Sequence, residues 1–437
     1  MVKRIIGIVS ITISFLQAQN SLSFSSLDSL FKYAEQHSSV IKSGDQQILL
    51  AKWTQVTSLF NTVNVKSPIT GSWTDNTKLP VSYLPADAFG GPAGSFKSVT
   101  LGQQYVTIYG ITPQIDIINP ANWARIKSAE LNKQLTQVNN QINKKNLFES
   151  ISAAYYNIIS MRYQISQLET HLVAADSLVL ISQNKFSQGI IRQQDLNNMK
   201  ANQLMVQDKL QQLRWQLEQN NNTIKVLCDI KHETILQFKE QLGTLNLEQQ
   251  TASNSLLVVK QAQLQSAFMR SELNATRLQS FAPTLSLVFN QSWQENSNKG
   301  FFDDNANKFT SQYVGVRLSI PFPLDPARLS QNYTAKINSN LAVINALHTD
   351  LQKQMISSNL EIDQQRLLRS YAIAKEISDI KNLNYEKSMN QYKAGILAAD
   401  ILLNHFGDMV NANLSMANAK AAAKYAQVKV QLNNSIQ

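Results

Sequence analysis

The sequence predicts an α+β fold built from one unit used twice, in the order helix, strand, strand, long helix, helix. Three observations carry this. Residues 185–196 (Lys-Phe-Ser-Gln-Gly-Ile-Ile-Arg-Gln-Gln-Asp-Leu) and 391–402 (Gln-Tyr-Lys-Ala-Gly-Ile-Leu-Ala-Ala-Asp-Ile-Leu) share an aromatic, a Gly-Ile-aliphatic step and a nearby Asp. Gly189 and Gly395 are 206 residues apart, the scale of a duplication. Each Gly motif follows a stretch of about 65 residues with helical periodicity and no Gly or Pro after its first position.

Taken in order, Leu27 to about Asn61 is helical. Residues 63–77 and 99–118 read as strands, separated by the Gly/Pro-rich loop Leu79–Gly94. A helical hairpin spans about 121–228 and turns at Gly189. A mixed segment follows to about residue 247 and closes the first repeat, 19–247. The second repeat, 248–437, opens with a helix over 252–280. Its strands are 282–293 and 310–320, around the polar loop Glu295–Lys308. Its helical hairpin spans about 327–430 and turns at Gly395. Both long helices begin with a cap-type residue and a proline, Asn119-Pro120 and Asp325-Pro326, since proline suits the first helical position.

Heptad seams run along the first hairpin. Leu147, Ile151, Ala154, Ile158, Met161, Ile165, Leu168 and Leu172 form one. Leu196, Met199, Gln203, Val206, Leu210, Leu213, Leu217, Asn220, Ile224 and Leu227 form the other, with Gln203 and Asn220 as register-setting polar positions. At about 1.5 Å per residue, each long helix extends on the order of 100 Å.

The strands alternate. Leu285, Leu287, Phe289 and Trp293 share one face, as do Val314, Val316, Leu318 and Ile320. One apolar and one polar face suits a membrane barrel, and also a soluble sheet with one buried face. Trp73, Tyr105, Tyr109, Trp293 and Tyr313 are candidates for membrane-interface girdles. Four strands are too few to close a membrane barrel, and open edges are not tolerated in lipid. Spanning strands therefore require several chains per barrel; three would supply twelve strands.

Composition bounds the rest. Only 16% of the 437 residues are charged and the net charge is +10, without a basic stripe interleaved with aromatics, which argues against nucleic-acid binding. Lys3 and Arg4 precede an apolar run from Ile5 to Leu16 with a small residue at Ala18, which reads as a signal peptide over 1–18. Cys228 is the only cysteine and is expected to be an inert buried thiol. His37, His171, His232, His348 and His405 are dispersed, without metal-ligand spacing, and are expected to be mainly exposed on helices. No catalytic constellation, cofactor motif or metal site is predicted.

The ordered set of these features resembles the TolC family of outer-membrane efflux and secretion channels, over essentially all of the chain after residue 18. The resemblance rests on the twofold strand-loop-strand and long-helix order and on the two Gly turns, Phe186–Asp195 and Tyr392–Asp400. It also rests on Arg270-Ser-Glu-Leu ahead of the third strand, similar to the family's Arg-Pro-Asp-Leu. His37-Ser38-Ser39-Val40, at the corresponding place in the first half, departs from the usual Asn-Pro.

The resemblance implies a homotrimer with a 12-stranded barrel, four strands per chain, in outer-membrane lipid, continued by an α-helical coiled-coil barrel in the periplasm. It implies an exit duct of a tripartite efflux pump or type I secretion system, not an enzyme. The implied partners are a periplasmic adaptor (membrane fusion) protein and an inner-membrane pump of RND, ABC or MFS type. A periplasmic coiled-coil adaptor is the alternative reading. The Gly189 and Gly395 turns would form the gated periplasmic tip. Asp195 matches the family's first-turn aspartate and Tyr392 its partner tyrosine, so the resemblance implies an Asp195–Tyr392 hydrogen bond, whereas Leu397 replaces an arginine and the charged link is missing. Pore-narrowing aspartates are expected six and nine residues after the second glycine, where this chain has Ile401 and Asn404, with Asp400 one place early. Asp400 and Asn404 are thus the pore-narrowing candidates. Helix capping is an alternative role for both Asp195 and Asp400.

Overall fold

A computed structural model of the chain describes residues 21–63, 65–241, 251–252, 256–322 and 325–436. The expected signal peptide and the proposed boundary between repeats at 247/248 lie outside the described residues. The elements in chain order are β1 (Ser21–Phe24), α1 (Leu27–His37), α2 (Ser39–Phe60), β2 (Val65–Lys66), β3 (Ile69–Asp75), β4 (Val81–Pro85), β5 (Phe96–Thr100), β6 (Tyr105–Ile111), β7 (Gln114–Ile118), α3 (Pro120–Ser187), α4 (Gln193–Leu227), β8 (Ile235–Phe238), α5 (Leu257–Phe281), β9 (Thr284–Ser297), β10 (Asn307–Ser319), α6 (Pro326–Lys393) and α7 (Ala399–Ser435). The helix-strand-strand-helix-helix order therefore occurs twice. No helix among the described residues is long and apolar enough to cross a membrane.

The duplication keeps the two long helices at the same length and offset. α3 and α6 are both 68 residues long, and their first residues, last residues and following glycines are all offset by 206. Both starts are capped as the sequence predicts. Asn119 Oδ1 accepts from the Asn122 N–H at 3.2 Å, and Asp325 Oδ1 from the Ala327 N–H at 3.0 Å.

The chain forms two compact units, and the division falls within α2, α3, α5 and α6. The first comprises residues 1–46, 138–260 and 350–437. One of its cores packs Phe24, Leu27 and Leu30 against Leu147, Ile151, Tyr155 and Ile158 of α3, with Ile224, Cys228 and Phe238. β1 and β8 pair in parallel, Ser21 with Ile235 through Phe24 with Phe238. β1 precedes the first predicted helix and β8 falls in the mixed segment, where four-residue strands give too short an alternation to recognise. Tyr155 donates to Glu240 Oε2 at 2.6 Å, and Lys424 lies 3.6 Å from the same carboxylate. Burial and the Glu240 hydrogen bond raise the Tyr155 pKa. Cys228 is buried, and desolvation, with Asp229 beside it, pushes its thiol up to about 12. It is thus a protonated, unreactive core group.

The second core of this unit is the heptad seam. Leu168, Leu178, Met199, Val206, Leu210 and Leu213 of α3 and α4 pack with Tyr392, Leu402, Phe406 and Met409 of α6 and α7. The polar seam positions find partners on α3. Gln203 donates to Asp176 Oδ1 at 2.5 Å, and Asn220 Nδ2 lies 3.7 Å from Met161 Sδ.

The second unit, residues 47–137 and 261–349, holds the main sheet. Its ladders give the order β3–β6–β9–β10, antiparallel throughout, with β2 and β7 continuing β3 and β6. β2 and β3 meet β7 and β6 in a single register, as do β6 and β7 on β9. The breaks at Pro68 and Pro113 are therefore local: each proline lacks the ladder N–H, but the register does not slip. Only a bulge between Asp116 and Ile118 shifts it. The result is four long strands per chain.

Their limits differ from the sequence reading. Residues 99–100, predicted as the start of the long strand, instead belong to Phe96–Thr100, which forms a separate hairpin with Val81–Pro85 of the segment predicted as loop. Gly102, at φ 100°, makes the break that only glycine adopts without strain. β9 and β10 extend to Ser297 and back to Asn307, so the polar loop is shorter. Gln294 through Ser297 are poor strand formers by type, and pairing with β6 and β10 overrides that preference.

Candidate functional site: two glycine turns and a two-faced sheet

Each Gly turn is built by the same hydrogen bonds. The Gly189 N–H donates to Phe186 O at 2.9 Å and the Ile190 N–H to Lys185 O at 2.9 Å. The Gly395 N–H donates to Tyr392 O at 3.1 Å and the Ile396 N–H to Gln391 O at 2.9 Å. This is the Schellman end, with the glycines at φ 73° and 78°.

Side chains then break the symmetry. Asp195 Oδ2 accepts from the Arg192 N–H at 3.1 Å and so caps α4. The equivalent residue in the second turn is Ile401, which has no such group. Tyr392 is buried, 2% exposed, while its counterpart Phe186 is exposed. The Tyr392 hydroxyl lies 3.0 Å from Ser182 Oγ. Lys185 Nζ donates to Tyr392 O at 2.7 Å and sits 4.1 Å from the centre of the Tyr392 ring. A cation thus meets both a π face and the carbonyl end of α6, where the helix dipole is negative.

Asp195 and Tyr392 are consequently not bonded to each other: one carboxylate caps its own helix, and the hydroxyl faces Ser182. Sequence reasoning missed Ser182 and Lys185. Their partner is more than 200 positions away, and neither position carries a family motif. Asp400 and Asn404 are both exposed and one helical turn apart on α7. One turn further, Asp408 Oδ2 pairs with Lys381 at 2.6 Å.

His171 differs from the exposed histidines expected. It is buried on α3, and Asn413 Nδ2 of α7 donates to its Nε2 at 3.3 Å. Asn413 Oδ1 also accepts from Ser378 Oγ at 2.6 Å and Asn382 Nδ2 at 3.1 Å, both on α6. Burial lowers the ring's pKa below the ordinary value. Among the described residues no group of three or more His, Cys, Asp or Glu is placed to hold a metal ion.

The sheet has two chemically distinct faces. Register places Ile69 beside Ile111, Tyr109 beside Trp293, Leu287 beside Val316 and Leu285 beside Leu318 on one face. Ile69, Trp73, Trp293, Val314, Val316 and Leu318 on that face are exposed. Trp73 packs edge-on against Tyr109 at 5.8 Å, and Tyr105 against Phe301 at 5.0 Å. Tyr313 opposes Asn290 on the other, polar face, apart from the remaining four aromatics. β3 and β10 each pair on one side only among the described residues. A 13-residue edge strand with Val314, Val316 and Leu318 exposed is a surface that needs a partner strand.

No family model matches the sequence, and no curated protein matches it. Solved structures do. The CmeC outer-membrane channel of Campylobacter jejuni superposes with a TM-score of 0.71 at 14% identity, covering 93% of this chain and 85% of that one. The outer-membrane protein VceC of Vibrio cholerae gives 0.71 at 14% identity, covering 94% and 95%. The MtrE outer-membrane channel of Neisseria gonorrhoeae, in its open state, gives 0.67 at 13% identity, covering 95% and 94%. The fold of this chain is therefore the duplicated α+β fold of these outer-membrane channels, the TolC fold.

Proposed function

We propose that the protein is an outer-membrane exit duct. It passes substrates from periplasm to exterior without catalysis, as part of a tripartite efflux pump or a type I secretion system. The observation that carries this is the sheet: one exposed apolar face, one polar face and, among the described residues, two unpaired edges on four strands. In water such a surface would aggregate; in lipid the apolar face is satisfied, and the edges close when copies join. Three copies give twelve strands, within the range of membrane barrels. The fold shared with outer-membrane channels supports the same reading.

In this reading Gly189 and Gly395 turn the helices at the periplasmic tip, which opens and closes the passage. Asp195, Tyr392, Asp400 and Asn404 belong to that tip. An adaptor protein and an inner-membrane pump supply contact and energy there. The test is extraction of membranes from expressing cells with carbonate and high salt, followed by electrophoresis without heating. Retention in the pellet and a heat-labile trimer are expected. Release as a soluble monomer would refute the duct and favour a periplasmic adaptor.

A further inference from the structure

We propose that Lys66 and Arg317 form a cationic collar on the polar face of the sheet that favours anionic cargo. This rests on the duct reading, which takes that face as the lining of the passage. Register fixes the placement. Lys66 opposes Gln114, Asp116 opposes Ser286, and Ser286 opposes Arg317. All lie within two neighbouring levels of one face, since alternate residues share a face. Among the described strand residues of that face, Lys66, Asp116 and Arg317 are the charged side chains.

The acid is recessed and the cations stand forward. Asp116 is 5% exposed. Its carboxylate accepts from Ser286 Oγ at 2.7 Å, Gln114 Nε2 at 3.1 Å and Asn119 Nδ2 at 3.2 Å. Arg317 Nη1 donates to the neutral Gln114 Oε1 at 3.2 Å rather than to the acid. Lys66 and Arg317 are exposed, and neither forms an ion pair among the described residues. An anion entering this level therefore meets two cations per chain, with the carboxylate held behind a layer of neutral donors. Low-dielectric walls focus such a field, and a ring of one sign sets the preferred charge of the cargo.

The test is the reversal potential of the full-length protein in planar bilayers under a potassium chloride gradient. The variant Lys66→Gln/Arg317→Gln is expected to lower the anion-to-cation permeability ratio by about twofold or more. Lys66→Arg/Arg317→Lys is expected to preserve it. The difference should shrink near 1 M salt, where the screening length is about 3 Å. If the neutral double variant does not insert, each single Gln variant is read against its charge-preserving partner. An unchanged or raised ratio in conducting neutral variants overturns the collar and leaves the duct reading standing. A parent protein that conducts nothing overturns the duct reading first, and the collar with it.

Discussion

The hydroxyl of Tyr392, at the end of α6, lies 3.0 Å from Oγ of Ser182, near the end of α3. The two residues are 210 positions apart, so the contact holds one sequence repeat against the other. Lys185 strengthens it by binding the Tyr392 carbonyl and ring. Removing one hydroxyl leaves the other buried without this partner, at a cost of about 1–2 kcal/mol. Tyr392→Phe and Ser182→Ala should each destabilise by that amount, and the double variant by little more than either. A double-mutant cycle on denaturant melts checks this.

Asp195 should behave independently. Its carboxylate caps α4, so Asp195→Ala frays the start of that helix at about 1 kcal/mol. Because Asp195 and Tyr392 share no hydrogen bond, Asp195→Ala and Tyr392→Phe should add within about 0.5 kcal/mol. A coupling well above that would mean that the two residues bond in solution. Both variants are expected to loosen the tip and raise single-channel conductance, each through its own contact.

The glycines divide by backbone. Gly189 and Gly395 have φ of 73° and 78°, with open space where a Cβ would stand. Alanine there meets no clash, only left-handed strain of about 1–2 kcal/mol. Gly407 lies inside α7, also with open space and without a positive φ. Gly407→Ala should therefore stabilise, by up to about 1 kcal/mol. Thermal melts of the three variants should separate in sign.

His171 predicts an acid sensitivity. Burial holds its folded pKa below the ordinary 6.5, so the unfolded chain takes up the proton first as pH falls. Its contribution to stability is thus complete above the ordinary value and is lost as pH drops from there towards the lowered folded value. His171→Gln should flatten the dependence of melting temperature on pH between about 7 and 5. An unchanged slope would assign the sensitivity to other groups.

Asp400 is exposed on the α7 face it shares with Asn404. In the proposed trimer a ring of this carboxylate at the aperture would favour cations, so Asp400→Asn should shift the reversal potential towards anions. No shift would place Asp400 outside the aperture.

The repeat, the helix starts and the Gly turns were legible because each is set locally. A Gly after a Gly-free helix, or a proline after a cap, acts within one turn of chain. Strand faces were legible for the same reason: alternation at Leu285, Leu287, Val314 and Val316 is a property of neighbours. What remained hidden depends on distant partners. The β1–β8 pair joins residues more than 200 positions apart, and β4 and β5 form a hairpin in a Gly/Pro-rich stretch whose composition signals turns. The Ser182–Lys185–Tyr392 contact was hidden because serine and lysine are ordinary residues at a helix end. The expected Asp195–Tyr392 bond came from analogy at two positions, while Arg192 and Ser182, which hold those two side chains, lay outside the analogy.

In the proposed duct, copies of this chain close a membrane barrel around a continuous passage. Single-channel recording of the purified protein in planar bilayers tests it most directly. Discrete conductance steps that vanish when the trimer is dissociated by heat are the expected result. Intact trimer that adds no conductance, or a water-soluble monomer that never inserts, would contradict it.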